Sequence, residues 1–295
     1  MKISVLIAAY RAAPTIARAI ASVQTQTHRD WELIVVEDGS HDGTESIVRR
    51  RAGGDARPFR YENLERNQGV AVARNRLLQL ATGEAVAFLD ADDFWSEDHL
   101  AAGVRELKAG AELVATGVDT FDLRTGATLG KVHPPAALLF APVPTLFNAS
   151  VIVTSSSVLL ARTLIARTGD FDPSFRVGED RDYWLRAALA GGSFAITPGA
   201  TCHYAKHAGS AMSGTLLVAA QDVHFYEKHY HLDAVSAAVR RRLLARSLAN
   251  EGRLLRATDP RASARLLWRA WRLTPWDLAL VPHLAISGGL TLFSV

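Results

Sequence analysis

Over the first hundred residues, short apolar runs alternate with segments of helical spacing, and this alternation limits the possible folds more than any other feature. Ile3–Ala9, Trp31–Glu37 and Ala85–Leu89 are short, rich in β-formers and bounded by turn residues, which predicts buried strands. Between them, Pro14–Gln26 and Val70–Leu80 carry apolar residues at helical spacing. Pro14 suits the first turn of one helix, and Gly83 suits a stop just past the other. Strand–helix alternation implies parallel strands with helices on both faces, an α/β fold with a Rossmann-like, doubly wound sheet. Such sheets bind ligands at the carboxyl ends of their strands, so the residues there carry the functional reading.

Composition narrows the class. The 295 residues suffice for one large α/β domain with an appendage, and 48% apolar against 21% charged residues is globular rather than disordered or fibrous. One cysteine, Cys202, cannot form an internal disulfide and fits a reducing, cytoplasmic compartment. Ile3–Ala9 is too short for the core of a secretory signal. The net charge of +3 is unevenly spread: Arg240 to Arg272 holds ten arginines against Glu251 and Asp259. The prediction is a helical extension over 215–295, following halves at 1–110 and 111–214. Prolines 134, 135, 142 and 144 predict an irregular surface loop in the second half.

Two strand ends carry acids. Trp31–Glu37 runs into Asp38-Gly39-Ser40 and Asp42-Gly43-Thr44. Turn formation and helix capping explain Asp42 and Thr44, whereas Asp38 is carried to the ligand edge, where it can accept from a base N–H or a ribose hydroxyl. Ala85–Leu89 runs into Asp90-Ala91-Asp92-Asp93. Three carboxylates within four residues repel one another, and a hard divalent cation, Mg²⁺ or Mn²⁺, removes the conflict while sharing its shell with phosphates. Asn67-Gln68-Gly69 opens a helix beside the same edge, with backbone donors for phosphate and Arg74 as a fixed cation.

These residues resemble the family-2 inverting glycosyltransferases of the GT-A fold, from Ser4 to about position 207. The resemblance includes Val5-Leu6-Ile7-Ala8-Ala9-Tyr10, the Asp38–Thr44 turn, Asn67-Gln68-Gly69 with Ala73-Arg74-Asn75, and Leu89–Asp93. It implies that Ala8, Tyr10 and Asp38 hold the nucleobase, commonly uracil, with Arg74 near the base or diphosphate. Asp90 would hold ribose or sugar, and Asp92 the metal, with Asp93 and His207 as further ligands. Gly169-Asp170-Phe171-Asp172 resembles the family's Gly-Gly-Phe-Asp turn with Asp170 in place of the second glycine. Gly178-Glu179-Asp180 matches the pair whose aspartate is the catalytic base. Tyr204-Ala205-Lys206-His207 resembles a Tyr-Arg-x-His motif without its arginine, leaving Lys206 to supply charge.

The expected activity is transfer of a sugar, with inversion, from a nucleotide diphosphate donor such as a UDP-sugar to a hydroxyl of a glycan or lipid-linked acceptor. Cell-surface polysaccharide or glycoconjugate synthesis is the expected setting, with no nucleic-acid partner. The alternative is a sugar-nucleotide-binding scaffold without transferase activity. A nicotinamide dehydrogenase is excluded because Tyr10–Pro14 replaces the glycine-rich turn it requires. A nucleotidyltransferase lacks its arginine- and lysine-bearing glycine loop. For the C-terminal extension, the arginines followed by the apolar stretch Leu278–Val295 predict either peripheral contact with the inner face of the cell membrane, or packing on the chain or on a second copy in a homo-oligomer.

Overall fold

Successive strands of the N-terminal part pair in parallel because each is followed by a helix that returns the chain across the sheet. The structure is a computed structural model that describes residues 1–206 and 215–276. β1 (Ile3–Ala9), α1 (Ile16–Gln24), β2 (Trp31–Glu37), α2 (Thr44–Ala52) and β3 (Phe59–Asn63) lead to α3 (Val70–Leu80) and β4 (Ala85–Phe88). The parallel order is β3-β2-β1-β4, in register from Ile3 opposite Trp31 to Ala9 opposite Glu37. β1 and β2 are buried almost throughout, and α1 covers them with Ile16, Ala19, Ile20 and Val23, spaced three to four residues apart along one face.

The next strands break the parallel rule. β5 (Phe94–Trp95) and α4 (His99–Lys108) are followed by β6 (Leu113–Asp122) and the antiparallel β7 (Thr128–Val132). β8 (Val158–Ala161) lies antiparallel between β4 and β6, and β9 (Phe194–Lys206) pairs in parallel with β6 and antiparallel with β5. The full order is β3-β2-β1-β4-β8-β6-β9-β5, with β7 on β6. The proline-rich segment is more ordered than the sequence suggests. It forms α5 (Ala137–Phe140) and α6 (Pro142–Asn148), and Pro142 occupies a first-turn position, where its missing N–H costs nothing. α7 (Arg162–Thr168) and α8 (Glu179–Leu189) complete this unit, Met1–Ala208.

Gly83 serves close packing and not helix termination. A Cβ there would lie 2.7 Å from the Lys2 carbonyl oxygen and the Ser4 nitrogen, and its own N–H donates to Ser4 Oγ at 2.8 Å. Beside it, the buried Glu32 accepts from Ser4 Oγ at 2.6 Å and from the Thr82 N–H at 2.7 Å, and pairs with Lys2 at 3.1 Å. This network closes the end of the sheet away from the acids described below.

The second unit, Gly209–Val295, is described through 276 as three helices: α9 (Thr215–Lys228), α10 (Ala237–Leu255) and α11 (Pro260–Leu273). Asp259 caps α11, accepting from the Ala262 N–H at 2.9 Å. Gly252 of α10 lets α11 approach, since a Cβ there would lie 3.0 Å from Leu267, and Ser263 Oγ donates to the Gly252 carbonyl at 2.7 Å. Among the described residues, no helix is long and apolar enough to cross a membrane. Leu278–Val295 and His207 lie outside the described residues.

Candidate active site

The carboxyl ends of β1, β2 and β4 meet at one edge, and the loops leaving them are tied together by their own side chains. Three consecutive backbone N–H groups after β1 donate to the turn after β2: Arg11 to Ser40 Oγ at 3.0 Å, Ala12 to Thr44 Oγ1 at 3.2 Å, and Ala13 to Asp42 at 3.0 Å. Arg11 adopts φ +51° to make this crossing. The hydroxyl of Ser40 in turn donates to the buried Glu37 at 2.5 Å. Half-buried Ala8 and 45%-exposed Tyr10 therefore sit on a fixed rim open to a planar ligand.

Asp38 has a structural duty that the sequence did not reveal. It is 3% exposed, and its two oxygens accept from the Gln68 and Gly69 N–H groups, each at 2.8 Å. It thus shapes the Asn67–Gly69 loop from which α3 departs, and each oxygen keeps a second lone pair for a ligand. Gly39 is required beside it: φ is +68°, and a Cβ would fall 2.3 Å from the Arg66 carbonyl carbon.

The three acids after β4 divide into different environments. Asp93 is fully buried, accepting from Ser156 Oγ at 2.6 Å and the Ala205 N–H at 2.9 Å, with Thr154 Oγ1 at 3.1 Å. Burial, reinforced by the charges of Asp92 and Asp90, pushes its pKa well above the usual carboxylate range. Ser156 Oγ also accepts from the Asp90 N–H at 2.9 Å, and the Ser156 carbonyl receives the Trp95 indole N–H at 2.7 Å. Thr154-Ser155-Ser156-Ser157, all buried, is therefore the scaffold of the acidic loop. Its only sequence signal was four consecutive hydroxyl residues before an apolar run.

Asp90 and Asp92 remain partly accessible. Asp90 pairs with Arg74 Nη2 at 2.8 Å and lies 3.2 Å from Thr154 Oγ1. The backbone carbonyl of Asp92 accepts from Arg18 Nη2 at 2.9 Å, and the Arg18 guanidinium lies 4.7 Å from the Phe94 ring centroid and 4.8 Å from that of Phe121. Arg18 is a site residue that no motif announced.

Arg74, which the resemblance places near the base or diphosphate, is held between acids of the protein itself. It is 4% exposed, and its terminal nitrogens pair with Asp90 and with buried Glu179 at the start of α8. Burial disfavours the Arg74 cation, but Asp90, Glu179 and Asp180 together outweigh this and raise its affinity for its proton. Asp180 follows Glu179. One of its oxygens accepts from the Arg181 N–H at 2.7 Å and the other lies 3.4 Å from Ser155 Oγ. Burial raises the Asp180 pKa; Arg74 opposes the rise and Asp90 adds to it. The two halves of the chain thus bring Asp90 and Asp180 into electrostatic reach through one guanidinium.

A second tie aligns α3 with α8. Asn75 donates to the Phe171 carbonyl at 2.9 Å and accepts from the Phe171 N–H at 2.7 Å, holding the Gly169–Asp172 turn. Asp170 is exposed, and its carbonyl accepts from Arg186 at 2.8 Å. Lys206 ends β9 with its side chain exposed.

Among the described residues, no group of three or more His, Cys, Asp or Glu side chains is arranged to enclose a metal. The acids nevertheless fit a cation of the kind that takes one or two carboxylates and completes its shell with phosphate and water. Asp90 and Asp92 are partly accessible beside the buried Asp93, and a divalent ion would relieve the repulsion among these carboxylates.

A mostly parallel sheet with acids at the carboxyl ends of its strands, and Glu179 and Asp180 at a helix start facing them, fits a GT-A type fold. The Glycosyl transferase family 2 model matches residues 4–140. The chain is 33% identical over 186 residues to the Bacillus subtilis glycosyltransferase TuaG, ascribed to teichuronic acid biosynthesis, covering 62% of this chain and 70% of that one. It is 27% identical over 210 residues to the Escherichia coli β-1,3-glucosyltransferase WfaP, covering 70% and 78%. Staphylococcus aureus TarS 1–349 with UDP-GlcNAc superposes with a TM-score of 0.69 at 20% identity, covering 97% of this chain and 88% of that one. The mannosyltransferase PcManGT of Pyrobaculum calidifontis, with GDP-Man and Mn²⁺, gives 0.63 at 21% identity, covering 99% and 87%. The chain belongs to glycosyl transferase family 2 and is a glycosyltransferase.

Proposed function

We propose that this glycosyltransferase moves a sugar from a UDP-sugar to a hydroxyl of a glycan or lipid-linked acceptor, inverting the anomeric centre in one step. The observation that carries the reading is the Asp90–Arg74–Glu179/Asp180 constellation, which sets a donor-side acid and a candidate base on opposite elements. The WfaP name gives UDP-glucose as donor and a diphosphoundecaprenol-linked sugar as acceptor, which supports both substrate classes. In this reading residues 1–110 bind the donor, 111–214 the acceptor, and 215–295 form the extension.

The base lies on the rim formed by Ala8 and Tyr10, with Asp38 accepting its N–H. Asp90 accepts a hydroxyl of the ribose or sugar, and Arg74 fixes Asp90 in place. Asp92 is the first choice for holding Mn²⁺ or Mg²⁺, because it is partly accessible where Asp93 is fully buried; Asp93 and His207 are further candidates. The PcManGT complex, which contains Mn²⁺, supports a divalent cation. When bound, such an ion supplies charge stabilisation to the departing diphosphate. Asp180 takes the acceptor's proton as its oxygen attacks, and its raised pKa makes it a stronger base than an exposed aspartate. The enzyme works at the cytoplasmic face of the membrane.

The test is Mn²⁺-dependent turnover of a panel of nucleotide sugars with Asp180→Asn as control. Donor binding without turnover, unchanged by the substitution, would favour the non-catalytic scaffold instead.

A further inference from the structure

The exposed side of α11 is cationic along its whole length. Pro260–Leu273 contains no acidic residue, and Arg261, Arg265, Trp268, Arg269 and Arg272 are all exposed. Positions 261, 265, 268 and 272 are separated by four, three and four residues, which places them on one stripe of the helix. Ser263, Leu267 and Ala270 occupy the buried side. Arg269, beside the stripe, pairs with Glu227 of α9. Trp268 is 50% exposed at the middle of the stripe, and the Arg272 guanidinium lies 4.7 Å from its ring centroid. Trp276, just past the helix, is 69% exposed. Solvated arginines alone would be an ordinary helix surface. Large indoles held in water among them are not, because apolar area of that size is normally packed away.

We propose that this face of α11 docks on an anionic lipid bilayer, with Arg261, Arg265 and Arg272 against the lipid phosphates and Trp268 in the boundary between headgroups and acyl chains. Guanidinium matches phosphate in charge and geometry, and indole favours that boundary because one edge is polar and the body apolar. A second copy meeting this one through the same stripe would set arginine against arginine. A single-stranded nucleic acid would stack bases on an open ring, and one side of Trp268 is already covered by Arg272. The docking surface does not depend on the donor or base assignments, and binding is read without turnover, so either can fail while the other stands.

Flotation of the full chain with vesicles tests the proposal. Phosphatidylglycerol–phosphatidylcholine vesicles should carry the protein at about 50 mM salt and release it at about 500 mM, while phosphatidylcholine alone should not carry it. Each arginine should contribute about fivefold to partitioning, so R261Q/R265Q/R272Q should bind about a hundredfold more weakly. R261K/R265K/R272K should recover most of the binding, which a purely structural role for the arginines would not predict. Trp268→Ala should weaken binding about tenfold. Circular dichroism should show all these variants folded, since the positions are exposed. The proposal is overturned by absence of binding at low salt, by equal binding of the glutamine triple variant, or by single-stranded RNA competing as well as vesicles. A dimer of the wild-type chain that the triple variant abolishes would likewise overturn it.

Discussion

At the residue scale, Asp92 and Asp93 are neighbours in the chain but should answer to different assays. Asp92→Ala removes an accessible oxygen ligand, so Mn²⁺-dependent donor binding measured by calorimetry should be lost while the melting temperature stays within about 2 °C, as for an ordinary surface substitution. Asp93→Ala strands the Ser156 hydroxyl and the Ala205 N–H in the interior, at about 1–3 kcal/mol for each buried group left unsatisfied, and should lower stability by several kcal/mol. Asp93→Asn keeps the shape and an acceptor oxygen, and should be markedly milder. If Asp93→Ala melted like the wild type, the buried role described for it would be wrong. For Asp180, replacement by asparagine should leave donor affinity intact and cut turnover by about 10²–10⁴, the usual contribution of a general base. Since burial raises the Asp180 pKa, the acid limb of kcat/KM should lie above that of an exposed aspartate, rate rising with pH as the base ionises. A profile flat down to pH ~4 would exclude Asp180 as the titrating base.

At the scale of elements, the sheet is held at two ends by different means. At the ligand edge, hydroxyl-bearing turns clasp one another, and the Thr154–Ser157 turn seats the acidic loop. Ser156→Ala removes both the acceptor for the Asp90 N–H and the donor to Asp93, and should cost about 1–3 kcal/mol by chemical denaturation while weakening donor binding. At the opposite end, Glu32 supplies a pH-dependent clamp. Burial alone would raise its pKa; the hydrogen bonds from Ser4 and Thr82 and the contact with Lys2 outweigh this and bring it to about 2. The folded form therefore gains stability that is complete above the unfolded value near 4.5 and is lost as pH falls towards 2. The full shift corresponds to about 3 kcal/mol, and solvent screening of the partly exposed Lys2 partner brings the expected contribution to about 2 kcal/mol. Glu32→Gln should lose about that much at pH 7, and its denaturation midpoint should fall less steeply than the wild type's between pH 5 and pH 2. Parallel pH dependence in the two proteins would show that the clamp contributes nothing.

At the scale of the whole molecule, the proposed function has the divalent ion arrive with the donor diphosphate rather than hold the fold together. Chelation should leave the melting temperature of the ligand-free protein within about 2 °C. UDP with Mn²⁺ at a hundred times its Kd should add about 2.7 kcal/mol, and chelator should remove that increment. A large loss of stability on chelation alone would reveal a structural ion.

The sequence by itself determined the strand–helix alternation, the parallel pairing of the strands it named, and the acids at strand ends. Each is written in local periodicity or in a contiguous motif, and so is legible without knowing what lies nearby. The edge strand β3 and the order β3-β2-β1-β4 came from the tertiary structure. What only the tertiary structure decided is which groups share an environment. Asp93 proved a buried acceptor, Asp38 a clasp on the Gln68–Gly69 loop, and Arg74 a bridge between Asp90 and Glu179, because their partners lie from 16 to over 100 residues away. Burial and pairing depend on distances that chain spacing does not encode, and in a low-dielectric interior those distances set both the charge a carboxylate can hold and the work it can do.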